Sequence, residues 1–284
     1  MVVNNSLNRF IIQPKKLHAI LDLQNTKIID CRWYLDDKSK GFREFQKGHI
    51  KGASFFDIEK ISDHTIKTPH MFPRIEQFLS FAENCGISHN DKVIIYDQVG
   101  FFCSARVWLM FKYFGFKNLK ILNGGLQSWK KHKFPLIKKF FTANKVKLNL
   151  KKSSTNLTIS KNEILEDLNH KNNFKIIDAR PENRFLGLKN EPRPNLKKGN
   201  IKNSINIPFD KITNKDGKLK SLKYLRDLVF NEKKLKKKNI IICYCGSGIT
   251  ACNIIFVLNI LGYKKVKLYD GSWAEWGKKK SNQN

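Results

Sequence analysis

Ile240-Ile241-Ile242-Cys243-Tyr244-Cys245-Gly246-Ser247-Gly248-Ile249-Thr250-Ala251 passes from an apolar run, through a glycine-bearing turn, into a stretch whose apolar spacing continues to Leu261 and stops at Gly262. The first part, Ile240 to Tyr244, is too short for a helix and reads as a buried strand; Thr250 to Leu261 reads as a helix. Cys245 to Ile249 is then the loop between the C-terminal end of a strand and the N-terminus of a helix. Open α/β sheets place their ligands at such loops.

Working outward, the same pattern occurs earlier in the chain. Lys27-Ile28-Ile29-Asp30-Cys31-Arg32 matches Lys175-Ile176-Ile177-Asp178-Ala179-Arg180 at an offset of 148, and Gly48-His49-Ile50-Lys51 matches Gly199-Asn200-Ile201-Lys202 at 151. Val93 to Asp97 matches Ile241 to Cys245 at 148, and Asn123-Gly124 with Trp129 matches Asp270-Gly271 with Trp276 at 147. Four ordered matches at nearly one offset indicate a duplicated domain, a period longer than that of solenoid repeats. Short apolar runs alternate with helical patterns in each copy, which predicts an α/β fold with parallel sheets. Ser160 with Glu163 forms a capping box opening a helix to about Asn169, followed by a strand over Lys175 to Asp178. The predicted organisation is a first domain over 1–141, a polar, Lys-rich linker over 142–156 and a second domain over 157–284.

The 284 residues suffice for two domains with a sizeable core, and 41% hydrophobic residues with 21 Phe exclude wholesale disorder. No apolar run is long enough to span a bilayer, and Met1 to Phe10 lacks the basic and apolar regions of a secretory signal, so a soluble cytoplasmic protein is predicted. The net charge of +30 comes from 45 Lys and nine Arg spread through every segment. Without a basic stripe, zinc-finger spacing or RNA-binding aromatic signature, this points away from a nucleic-acid role, and Lys233 to Lys238 reads as a solvated helix end or loop. The six cysteines follow no disulfide framework and supply no second pair for a zinc site. A reducing compartment and no metal are expected.

Cys245 opens its loop facing backbone N–H groups and the positive end of a helix, surroundings that favour a thiolate. Gly246 and Gly248 let the backbone curl around the sulfur. Cys243, two residues back in the strand, reads as core. Two enzyme classes use a cysteine held this way. Cysteine phosphatases close the loop with an arginine that clamps phosphoryl oxygens, but that position is Ala251. Sulfurtransferases, whose cysteine carries a persulfide, lack that requirement. Where Lys supplies five of every six positive charges, positions that remain Arg are enriched in sites needing a planar fork. Arg180, Arg184 and Arg193 fall within fourteen residues, after the strand ending at Asp178 and at the same sheet edge as the cysteine loop.

With Trp33-Tyr34-Leu35, Gly48 to Asp57, His70-Met71, Arg106-Val107-Trp108, Asn123-Gly124-Gly125-Leu126, Glu191-Pro192-Arg193 and Asp270-Gly271-Ser272-Trp273, the whole chain resembles the tandem rhodanese-type sulfurtransferases. Its loop Cys245 to Ala251 is similar to that of the 3-mercaptopyruvate sulfurtransferases. The resemblance implies two rhodanese-like domains, the second catalytic through Cys245 and the first without a nucleophile, since Asp97 stands at the equivalent position. Cys103 aligns near Ala251 and is read as structural. The resemblance further implies that Arg184 and Arg193 bind a substrate carboxylate and carbonyl, with Gly246, Gly248, Ile249 and Thr250 completing the binding loop. Ser247, His70 and Glu59 would form a proton relay, Glu59 standing where the family more often has Asp. Arg180, which repeats Arg32, is read instead as an ion pair with Asp178. The implied reaction takes sulfur from 3-mercaptopyruvate through a Cys245 persulfide to a thiol, a thioredoxin-like protein or cyanide, without a cofactor. Thiosulfate sulfurtransferase activity, a non-catalytic persulfide carrier and a basic binding protein are the alternatives.

Overall fold

The computed structural model describes residues 7–150, 156–171 and 173–279; residues 151–155 of the expected linker and both chain ends lie outside the described residues. The chain forms two compact units. Among the described residues the first comprises 7–63, 72–150 and 213–219, and the second comprises 64–71, 156–212 and 220–279. Each unit thus includes a short segment from the other half of the sequence, and the two segments end at Met71 and Leu219, one repeat period apart. Residues 142–150 belong to the first unit, where Val146 N donates to Glu83 O at 3.3 Å and Leu148 N to Glu83 Oε1 at 2.9 Å.

In the first unit β1 (Ile11–Ile12), β2 (Thr26–Asp30), β3 (Ala53–Phe55), β4 (Lys92–Tyr96) and β5 (Leu119–Leu122) form a parallel sheet in the order β1-β5-β4-β2-β3. In the second, β6 (Thr158–Ile159), β7 (Phe174–Asp178), β8 (Ile205–Asn206), β9 (Ile240–Tyr244) and β10 (Val266–Tyr269) repeat it as β6-β10-β9-β7-β8, again parallel. Central strands of parallel sheets are covered on both faces, which is why Val93 to Tyr96 and Ile241 to Tyr244 are apolar without alternation. Ile28, Ile94, Tyr96 and Trp129 share one core, and Ile176, Ile242, Tyr244 and Trp273 share the other. Each such buried side chain contributes about 1.5–3 kcal/mol.

The duplication extends to single hydrogen bonds. Tyr96 Oη accepts from Ile50 N at 3.2 Å, and Tyr244 Oη accepts from Ile201 N at 3.1 Å. Arg32 pairs with Asp30 and donates to Gly48 O at 2.9 Å; Arg180 pairs with Asp178 and donates to Gly199 O at 2.7 Å. The capping box of Ser160 and Glu163 opens a helix, Lys161–Glu166, which widens into a π-helical turn over Asp167–Lys171. Asp167 accounts for the change. Its carboxylate turns back to accept from Asn173 N at 3.0 Å and Phe174 N at 3.1 Å, drawing the chain directly into β7.

The segment 213–219 is tightly fitted in the first unit. Gly217 has φ +70°, and a Cβ there would lie 1.7 Å from the carbonyl oxygen of Val99, so only glycine fits. Leu219 N donates to Asn123 Oδ1 at 2.9 Å, and the Lys131 and Asp216 side chains pair.

Candidate active site

β9 delivers Cys245 to the sheet edge and Thr250 caps the helix Ala251–Ile260, so the loop has the strand-to-helix setting its sequence predicts. The helix Ser272–Trp276 holds the loop's carbonyls: Trp273 N donates to Cys245 O and Ala274 N to Gly246 O, both at 2.9 Å. Ser272 takes a left-handed backbone, φ +50°, uncommon for a residue with a side chain. Its hydroxyl accounts for its presence, donating to Tyr269 O at 2.9 Å and accepting from Cys245 N at 3.2 Å. Gly248, at φ +76°, turns the loop back, and Cys252 Sγ donates to its carbonyl at 3.1 Å. Cys245 itself is buried.

The first unit has the same loop. Leu126 N donates to Asp97 O and Gln127 N to Gln98 O, and Ser104 Oγ binds Gly100 O as Cys252 binds Gly248 O. Here the first side chain is an anion, and its position shows what the loop does with one. The buried Asp97 carboxylate accepts the N–H groups of Val99 at 3.0 Å, Gly100, Phe102 at 2.8 Å, and Cys103 and Ser104 at 2.9 Å. Five donors on one carboxylate make a preformed anion cradle. The sequence identifies Asp97 only as a missing nucleophile.

The arginines lie over the cysteine loop. A Cβ built on Gly246 would be 3.1 Å from Arg184 Nη2 and 3.8 Å from Arg193 Nη1, so the glycine leaves that space to the guanidinium groups. Arg184 stands on the short helix Glu182–Phe185 and is bound by Glu191, which accepts from its Nε at 3.2 Å and from its Nη2. Glu191 also accepts from Arg180 Nη1 at 2.7 Å. Arg180, fully buried, grips Asp178 through Nε and Nη2 and lies 4.2 Å over the Trp273 ring, which makes it part of the fold. Glu191 and Ser272 are site residues whose roles sequence reasoning missed; an acid set among Arg180, Arg184 and Arg193 was the available signal for the former.

His70, in the segment 64–71, is brought to the loop. Its Nδ1 and Ser247 Oγ share a hydrogen bond of 3.1 Å, both residues are buried, and the His70 backbone is left-handed at φ +60°. Glu59 lies in the first unit, where it accepts from Trp33 Nε1 at 2.8 Å and pairs with Lys38. Its part in the relay therefore rests on resemblance. Cys243 is core, its thiol pushed well up by burial. Cys103 supplies a backbone donor to Asp97, and beside it burial raises the Cys31 thiol in the same way. No helix among the described residues is long and apolar enough to cross a membrane.

The Rhodanese-like domain family matches residues 13–132 and 161–279. A 3-mercaptopyruvate sulfurtransferase from Mus musculus is 35% identical over 263 residues, covering 92% of this chain and 88% of that one. A thiosulfate sulfurtransferase from the same organism is 35% identical over 255 residues, covering 88% of this chain and 84% of the relative. The crystal structure of SseA, a 3-mercaptopyruvate sulfotransferase from Escherichia coli, superposes with a TM-score of 0.82 at 32% identity, covering 93% of this chain and 98% of that one. With both repeats matched and relatives similar along nearly their whole length, the chain belongs to the rhodanese family of sulfurtransferases, as a tandem of two rhodanese-like domains.

Proposed function

We propose that the protein transfers sulfur from 3-mercaptopyruvate to a thiol through a persulfide on Cys245. The observation that carries this reading is the pair of guanidinium groups, Arg184 and Arg193, over the side-chain-free Gly246 next to the cysteine. Planar forks of this kind suit a 2-oxo carboxylate. The Cys245 thiolate attacks the donor sulfur; the new S–S bond forms as the donor's C–S bond breaks, and its electron pair leaves on pyruvate enolate. A proton converts the enolate to pyruvate, and Ser247, hydrogen-bonded to His70, stands ready to deliver it. The loop's backbone N–H groups hold the sulfur anion as their counterparts hold Asp97. An acceptor thiolate then attacks the outer sulfur, giving its own persulfide and restoring Cys245.

The acceptor in this reading is a small thiol, a thioredoxin-like protein or cyanide. None of the six cysteines forms a disulfide, which fits a reducing compartment such as the cytoplasm. Ser247, His70, Arg184 and Arg193 are assigned the roles above, and Glu59 the outermost relay position. Peptide mass spectrometry after incubation with donor tests the assignment: one added sulfur is expected on Cys245 alone. Sulfur on Cys103 or Cys243 would overturn it. Donor choice is tested by kcat/KM at physiological salt, where the protein's general positive charge is screened. An equal or higher value for thiosulfate would defeat mercaptopyruvate as the preferred donor.

A further inference from the structure

We propose that the first unit holds a second ligand site, independent of the cysteine loop, which takes an amphipathic anion with a carboxylate head and a hydrocarbon body. The site is a cavity of about 780 Å3 where β2 and the edge strand β3 meet the chain running from Ile137 to Val146. Every residue that lines it belongs to the first unit. Ligand pockets span about 300–1,000 Å3 and combine an apolar lining with a few placed polar groups. The overlying chain is closely fitted. His49 N donates to Ile137 O and Ile137 N to His49 O, both at 2.9 Å. Gly86 has φ +61°, and a Cβ there would lie 2.7 Å from Asn144 O.

The two parts of the ligand follow from two parts of the lining. Leu21, Leu23, Ile87, Phe140, Phe141 and Val146 supply the apolar part. Leu23, Phe140 and Phe141 are each about half exposed, and they are gathered at one cavity rather than scattered singly over the surface. The polar part lies on β2 and β3. Ser54 pairs with Ile29 in the sheet, so it shares a face with Lys27, two residues before Ile29. Burial raises the Cys85 thiol, while the Ser54 hydroxyl and the Lys27 ammonium act on it in the opposite direction, which puts these three polar ends together. Asp22 is the one acid in the lining, and its carboxylate is taken by Lys51 at 2.6 Å. Lys27 and Lys139 have no ion pair among the described residues. An ammonium and a hydroxyl beside an apolar wall match a carboxylate that carries a hydrocarbon chain. β8, the edge strand of the second unit, also borders a cavity, of about 570 Å3, but there Glu182 and Glu232 accompany Lys211 and Lys233. The arrangement for an anion is therefore a property of the first unit.

The test reads binding and its place together. Octanoate below its micelle concentration, octan-1-ol and acetate are titrated into the full-length 15N-labelled protein at constant ionic strength, and amide shifts are followed. Octanoate is expected to move the amides of Lys27, Ser54, Cys85 and Phe140 to Ala143 saturably. Octan-1-ol has the body without the charge and should bind about tenfold more weakly. Acetate has the head without the body and should bind at least about a hundredfold more weakly. In Lys27→Gln the affinity for octanoate should fall about tenfold while that for octan-1-ol stays within about twofold. If that variant does not fold, the three ligands on the wild type decide the matter alone. Absence of saturable shifts, shifts confined to the Cys245 loop, an affinity for octan-1-ol or acetate equal to that for octanoate, or an unchanged octanoate affinity in Lys27→Gln would each overturn the proposal. No sulfur transfer is read, so failure of the function proposed above would leave these outcomes unaffected.

Discussion

The loops that begin at Asp97 and Cys245 share a backbone and differ in what occupies it. Both follow a central strand, both have their carbonyls held by the first turn of a later helix, Gly125–Lys131 or Ser272–Trp276, and both turn at a left-handed glycine, Gly100 or Gly248. In the first, the cradle is filled by the chain's own carboxylate and covered by the segment containing Gly217. In the second, a cysteine stands where the carboxylate would be, with two arginines beside it. The difference teaches that a loop of this shape can serve as a device for holding an anion, as the five donors to Asp97 do. In the mechanism proposed above, what turns the device to catalysis is leaving the anion's place to a sulfur that comes and goes.

Substitutions at equivalent positions should therefore have opposite consequences. Cys245→Ser is expected to lower turnover at least about a thousandfold with little change in urea midpoint, because a hydroxyl cannot carry a persulfide. Asp97→Ala is expected to leave chemistry at Cys245 available but to cost about 3–5 kcal/mol of stability, since it orphans a buried group of donors; urea denaturation measures this. A small loss there would break the comparison by showing that the first cradle does not need its anion. Asp97→Cys sharpens it. That thiol gains the cradle without an Arg184–Glu191 arrangement beside it, so it should take no sulfur from mercaptopyruvate in a Cys245→Ser background.

Smaller effects belong to the groups around the second loop. Arg184→Lys retains the charge but loses the fork, and a roughly tenfold to hundredfold fall in mercaptopyruvate kcat/KM is expected, mainly through KM. Ser247→Ala breaks the hydrogen bond to His70 and should reduce kcat for mercaptopyruvate by about tenfold. It should have less effect with thiosulfate, whose leaving group, sulfite, needs no proton. Equal losses with both donors would show that Ser247 supports the loop rather than a proton transfer.

Features that repeat or have strong local patterns were legible in the sequence. β9 occupies Ile240–Tyr244 as expected, and the helix after Cys245 begins and ends within a residue of its expected limits. Asp178 with Arg180 was recognisable because Asp30 with Arg32 repeats it. The role of Asp97 was not, because its partners are backbone N–H groups, which every residue but proline has and no sequence pattern marks. Glu191 was hidden for another reason: its partners lie seven and eleven residues away in an irregular stretch, outside any helical or strand period. Nor does a duplication of period near 148 reveal that 64–71 and 213–219 fold into the opposite units.

That last feature has a consequence for the order in which the protein is made. A ribosome adding about 5–20 residues per second has completed both sheet edges of the first unit by residue 150, but Gly217 and Leu219 are still several seconds from synthesis. During that interval the nascent first domain holds the Asp97 loop without its cover, and Asn123 Oδ1 lacks the donor it later receives from Leu219. The first half to be translated is therefore not the first half to be finished, and a stop codon between the two domains would release a product with its own anion in place but its lid missing.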